Sequence, residues 1–276
     1  MRIPKRNLSR TENEDLIVYD MCALSADEVL LACGPAGLRA VSLHTAQLVA
    51  QLEPGAIRVV VRVAFDTHTD TLLLVVRAPT GDYYQLVSLR RNASEWLEVQ
   101  RLGTRIRDNL FHIFNFAVCD SRVLLGSEGR DTLYMFDVSA EHTLRDAGSV
   151  TLHNGAYRVA CTRRDGVTLI GFSHDTSVSL LRLTSLSLPL VPIASVSLTE
   201  PRQLLFLKNL LLVKDWNSAT RSHAIVSFRA SDNALTERRM LFDAQANVSI
   251  NAWALAGDRL VLWDYNSKDL LVYAFT

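Results

Sequence analysis

The sequence predicts an all-β fold, a six-bladed β-propeller of four-stranded antiparallel blades closed by its own N-terminal strand. Three observations carry that expectation. The chain consists of short apolar runs rich in Val, Leu, Phe and Tyr, punctuated by Gly, Asp, Asn and Ser at the roughly 8–12-residue spacing of strands and turns. One three-strand pattern is written six times. A strand near the N-terminus belongs to no copy, and the last copy lacks a fourth strand.

The first strands of the copies read MCALS (21–25), RVAFD (62–66), NFAVC (115–119), RVACT (158–162), RQLLF (202–206) and AWALA (252–256). The second strands read EVLLACG, TLLLVVR, RVLLGSE, TLIGFS, NLLLVKD and RLVLWDY. The third read LRAVSL, YQLVSL, LYMF, VSLLRL, AIVSF and LLVYAF, ending on Leu43, Leu89, Phe136, Leu183, Phe228 and Phe275. The middle of the first strand is Ala23, Ala64, Ala117, Ala160, Leu204 and Ala254, spaced by 41, 53, 43, 44 and 50 residues. A mean period of about 46 suits a four-stranded blade. Small side chains fit where innermost strands converge on a narrow axis.

A fourth strand follows in five copies, as QLVAQLE, WLEVQRL, GSVTL, ASVSL and RRMLFD. The sixth copy stops at Thr276, and DLIVYDM (15–21) is the strand left over. Ring closure solves both problems, because a sheet edge left open invites pairing with other chains. Residues 15–276 are then one propeller domain, and residues 1–14 a polar, mobile tail.

Copies five and six, LLLVKDWNS…AIVSF and LVLWDYNSKDLLVYAF, resemble the NHL and YWTD-type propeller repeats. In those repeats a strand ends in an Asp-aromatic-Asn turn and the next strand ends in an apolar anchor. The other four copies share the pattern with different turns. The chain is more loosely similar to WD repeats, which carry their Trp-Asp pair on the third strand, whereas Trp263-Asp264 ends the second. The physical reading of Asp215, Trp216, Asn217, Asp264, Tyr265 and Asn266 is turn chemistry, since Asp and Asn bond nearby backbone amides.

Lys plus Arg equals Asp plus Glu, at 29 each, so no basic surplus supports nucleic-acid binding. No apolar run approaches the roughly 18 residues of a membrane span, and the charged N-terminus lacks the apolar core of a secretory signal. The expected setting is cytoplasmic, as a monomer. Cys22, Cys33, Cys119 and Cys161 sit in apolar runs without zinc-type spacing and read as buried free thiols. No nucleophile elbow, phosphate loop or histidine metal motif occurs, and no cofactor is implied.

The functional expectation is a non-enzymatic scaffold binding a protein or peptide, one with an acidic group, on the channel face. Two residues before the alanine column stand Met21, Arg62, Asn115, Arg158, Arg202 and Ala252. Arg62, Arg158, Arg202 and Asn115 at one blade position suit a carboxylate or phosphate; pairing with Asp20 or Glu200 is the structural alternative. Phe111, in RDNLFHIF, is the candidate aromatic of the rim, beside Trp96, Tyr83, Tyr84, Phe114 and Tyr157. The competing expectation is a lactonase- or esterase-type hydrolase holding a divalent metal in the channel. Its ligands would come from Asp20, Asp108, Glu200, Asn115, Asn154 and Asn251.

Overall fold

The computed structural model describes residues 16–45, 47–52, 59–78, 84–92, 95–104, 115–126, 132–151, 158–183, 192–217, 219, 222–231, 234–243 and 249–275. The chain is an all-β, six-bladed propeller with no helix among the described residues. Every blade is an antiparallel meander in chain order. Three blades form one compact unit and three another.

The first unit holds the first, second and sixth blades. Blade one is β1 (Asp20–Ala23), β2 (Glu28–Ala32), β3 (Leu38–Ser42) and β4 (Leu48–Leu52). Blade two is β5 (Val60–Asp66), β6 (Thr71–Arg77), β7 (Tyr84–Asn92) and β8 (Glu95–Thr104). Blade six is β21 (Ile250–Ala256), β22 (Arg259–Asp264) and β23 (Asp269–Ala274). The second strands read as near-continuous apolar runs because they are covered on both faces: Leu72, Leu73, Leu74 and Val76 of β6 are all fully buried. Each such side chain contributes about 1.5–3 kcal/mol by leaving water.

The N-terminal segment closes onto blade six through its side chains. Leu16 and Val18 are buried in one cluster with Ala252, Ala254, Val261 and Trp263. The described sheet of that blade has three strands, and the ladder of blade one begins with Tyr19, whose amide donates to the Ala32 carbonyl at 2.8 Å. Blades one and two are joined by a backbone bridge between Gly34 and Val60, with N···O distances of 2.9 and 3.1 Å. Gly34 is required there twice over: its φ is +58°, and a Cβ would lie 2.6 Å from the Tyr19 ring.

The second unit holds blades three, four and five. These are β9 (Asn115–Cys119), β10 (Arg122–Gly126), β11 (Thr132–Val138) and β12 (Leu144–Thr151); then β13 (Arg158–Arg164), β14 (Val167–Ser173), β15 (Ser177–Leu183) and β16 (Ala194–Ser197); then β17 (Pro201–Leu207), β18 (Leu210–Asn217), β19 (Ser222–Ser231) and β20 (Ala234–Asp243). Asp165-Gly166 joins β13 to β14 with both residues at positive φ, 48° and 78°. That is the two-residue hairpin turn whose twist matches the flanking strands. Asp120-Ser121 makes the same turn between β9 and β10 with φ of 43° and 63°.

Two apolar layers fill this unit. One lies between blades three and four and contains Ala117, Leu124, Val159 and Ile170. The other lies between blades four and five and contains Ala160, Leu169, Leu204 and Leu211. These memberships correct the alanine column. Ala117 faces blade four and Ala160 faces blade five, but Leu204 shares the Ala160 layer and therefore points back toward blade four. Ala23 likewise shares a layer with Ala254. In blade five the column is out by one residue: Pro201 pairs with Asp215 and Gln203 with Lys214, so Arg202 is passed over just as Val61 and Asn251 are in blades two and six, and Leu205 rather than Leu204 takes the place of Ala64 and Ala254.

Candidate functional site

Arg62, Arg158 and Arg202 lie within the first three residues of the first strands β5, β13 and β17. On β5, Arg62 is half-buried and donates from Nη1 to the carbonyls of Tyr19 (3.0 Å) and Val61 (3.3 Å). Asp20 Oδ2 accepts from the Val63 amide at 3.2 Å. A cation and an anion at adjacent strand starts thus each bind the other strand's backbone. Arg62 ties blade one to blade two.

Arg158 opens β13 and is half-buried, in register with Ser173, two residues before Ala160. Arg202 is the bulged residue of β17 and is exposed, forming an ion pair with Glu200. Their side chains are 48% and 36% exposed, so the pair is held in water. Arg158 and Arg202 share the second unit; Arg62 belongs to the first. Asn115 opens β9 opposite Gly126, but its side chain lies outside the described residues, as does Phe111. Residues 1–14 lie outside them too.

The repeated Asp-aromatic-Asn turns are capping devices. Asp215, buried at the end of β18, accepts from the amides of Thr199 (3.2 Å) and Glu200 (2.7 Å). Asp264, buried at the end of β22, accepts from the Ser249 amide (2.9 Å), the Asn266 amide (3.1 Å) and Ser267 Oγ (2.7 Å). The residue after each aspartate continues the pattern: the Trp216 amide donates to Glu200 O at 3.0 Å and the Tyr265 amide to Ser249 O at 2.7 Å. Each aspartate therefore fixes the segment leading into its own blade's first strand. In blade five that segment contains Glu200 and sets down Arg202 next to it.

Among the described residues, Trp96, Tyr84 and several histidines are engaged in packing or hydrogen bonds. Trp96 meets Phe65 edge-on, centroids 6.2 Å apart, with the Arg91 guanidinium 5.9 Å from its ring centre. Tyr84 is buried. Tyr83, Phe114 and Tyr157 lie outside the described residues. His223 meets Trp216 at 4.5 Å with the rings tilted by 48°, and His174 meets Phe172 edge-on at 5.0 Å. His142 Nδ1 bonds Thr71 Oγ1 at 2.8 Å, and Thr71 continues through Thr69 to the buried carboxylate of Asp66. Sequence reading missed this chain, because Thr71 opens a strand and His142 sits 71 residues away in a turn. All four cysteines are free, and burial pushes the Cys33 thiol up to about 12. Among the described residues no three His, Cys, Asp or Glu side chains are grouped to hold a metal ion.

No protein family and no curated protein sequence matches the chain. Solved structures do match its fold. A chain in a crystal structure of the mitotic checkpoint complex is similar with a TM-score of 0.63 at 12% identity, over 100% of this chain and 96% of that one. The RRP9 WD40 repeats are similar with a TM-score of 0.62 at 10% identity, over 96% of each chain. A putative oxidoreductase (glucose dehydrogenase) from Thermus thermophilus gives 0.63 at 11% identity, over 93% of this chain and 96% of that one. At such identities the likeness establishes the propeller fold and nothing about chemistry.

Proposed function

We propose that this protein is a non-enzymatic cytoplasmic scaffold that binds a protein or peptide carrying an acidic group, using the propeller face where the first strands begin. The observation that supports this most is the exposed ion pair of Arg202 and Glu200, held at the start of β17 by the Asp215 cap. A partner carboxylate can replace Glu200 on that guanidinium at little cost, because an ion pair in water is worth about 0–1 kcal/mol. Arg158 stands at the start of the neighbouring first strand, β13, in the same unit. A fold shared with WD40 propellers, and with a chain solved inside a mitotic checkpoint complex, supports protein partners in general. The metal-dependent hydrolase is the alternative reading: a putative oxidoreductase shares the fold, and of its candidate ligands Asp108 and Asn154 lie outside the described residues.

The test is affinity capture with mass spectrometry, comparing the wild-type chain with Arg202→Glu and with Arg158→Glu/Arg202→Glu. Partners should be lost on charge reversal while circular dichroism stays unchanged. Capture of the same set by all three proteins refutes the arginine site. Stoichiometric divalent metal in the purified protein, with esterase or lactonase turnover, refutes the scaffold.

A further inference from the structure

Cys119 ends β9 and Cys161 lies in β13, the first strands of neighbouring blades in the second unit. β9 and β13 run beside each other, Cys161 packs on the apolar layer that holds Ala117, and Cys119, two residues on from Ala117, takes the same face of β9. Two thiols 42 positions apart in sequence are thereby set facing one another. Both residues are partly exposed, at one end of the apolar layer that contains Ala117 and Val159. Cys33, by contrast, is fully buried.

We propose that Cys119 and Cys161 are a reversible dithiol–disulfide pair that staples blade three to blade four. The oxidant class is a low-molecular-weight disulfide. One protein thiolate attacks it, forming a mixed disulfide and releasing one small thiol. The second protein thiolate then attacks the protein sulfur of that mixed disulfide and releases the other small thiol. Two protons leave the protein thiols, two electrons pass to the oxidant, and one sulfur–sulfur bond replaces another.

Three features of the site bear on this step. The facing positions of the two thiols on neighbouring strands make the second attack intramolecular, which favours the disulfide over a lasting mixed adduct. Arg122, anchored on Asp137 by contacts of 2.9 and 3.2 Å, places a cation by Cys161 and favours its thiolate. Burial pushes the Cys161 thiol up, followed by the neighbouring Cys119 thiol and the charge of Asp120, which lowers its thiolate fraction and slows its attack. The crosslink would close a long chain segment and so stabilise this unit.

The experiment uses the full chain, reduced and then incubated with glutathione disulfide. Free thiols, alkylated after denaturation, should fall from four to two. Trypsin should release DNLFHIFNFAVCDSR (108–122) joined to VACTR (159–163), lighter than the sum by two hydrogens. Dithiothreitol should restore all four thiols. The oxidised protein should melt roughly 5 °C higher than the reduced one. A Cys22→Ser/Cys33→Ser variant should keep the crosslink, and Cys161→Ser should lose both crosslink and shift. Four thiols persisting, separate glutathione adducts on Cys119 and Cys161, or a crosslink to Cys22 or Cys33 overturns the proposal. The peptide map of the wild-type protein decides the matter even where a serine variant fails to fold.

Discussion

Replacing Asp264 by alanine removes three hydrogen bonds from a side chain that is 2% exposed. The three do not cost alike. Asn266 and Ser267 lie in an exposed turn, so their donors regain water and each loss is about 0.5–1 kcal/mol. The Ser249 amide is half-buried and loses a charged acceptor, which costs about 1.5–3 kcal/mol. Asp264→Ala should therefore destabilise the protein by about 3 kcal/mol. Asp264→Asn keeps Oδ1, which accepts both backbone amides, and loses the charge and the Ser267 contact; about 1 kcal/mol is expected. Asp215→Ala removes the acceptor of two amides and should fall near the Asp264→Ala value. The assay is urea unfolding followed by tryptophan fluorescence, with Trp253 and Trp263 buried in the same blade as Asp264. At a slope of about 1–3 kcal/mol per molar urea, the alanine midpoint should drop by about 1–3 M. Both alanine variants within about 0.5 kcal/mol of wild type would refute the capping argument and return these turns to the set of functional motifs.

Other outcomes follow from the same geometry. Gly171→Ala puts a methyl 3.0 and 3.2 Å from the two Leu211 methyl carbons and should cost about 1–3 kcal/mol in chemical denaturation, partly recovered by adding Leu211→Val. The Cys33 thiol is raised in the folded state, so it contributes stability below the unfolded thiol pKa and loses it as pH rises toward about 12. Wild type should lose up to about 1.4 kcal/mol per pH unit above pH 9 relative to Cys33→Ala, read from unfolding curves at pH 8, 9.5 and 10.5; parallel pH profiles would count against it. Arg202→Ala should leave stability within about 0.5 kcal/mol, because its ion pair is solvated, whereas Arg62→Ala, which frees the Tyr19 and Val61 carbonyls, should cost about 1–2 kcal/mol by the same denaturation assay.

The strands were legible because each carries its own signal. TLLLVVR is β6 residue for residue, and the Asp165-Gly166 turn is written in two letters. The facing of side chains was less legible. A bulge has no sequence signature, so Arg202 looks like Arg62 in a column of letters while the ladder passes over it. The polar chain from Asp66 to His142 was invisible for another reason: its partners meet only after blades assemble. The same holds for Cys119 and Cys161, which read singly as small hydrophobes and become a pair only when β9 lies beside β13.

The outer strands show how the fold manages what its repetition exposes. Five blades end in an outermost strand, and identical meanders would offer identical open ladders to other chains. In four of these five the last pairing slips: between Ala40 and Val41 in blade one, Ser88 and Leu89 in blade two, Met135 and Phe136 in blade three, and twice along β19 in blade five. The fifth, β16, pairs regularly but spans only four residues. Bulging and shortness both spoil a template. They matter most on β20, where Met240 and Leu241 are 60% and 40% exposed and Leu241 is the residue passed over by one bulge. Arg229, Glu237 and Arg239 add an ion-pair network to the same hairpin. Irregularity therefore has opposite uses at the two ends of a blade. Outside, it turns the ladder away from neighbours; inside, at Arg202, it turns one charged side chain out of the ladder and into water.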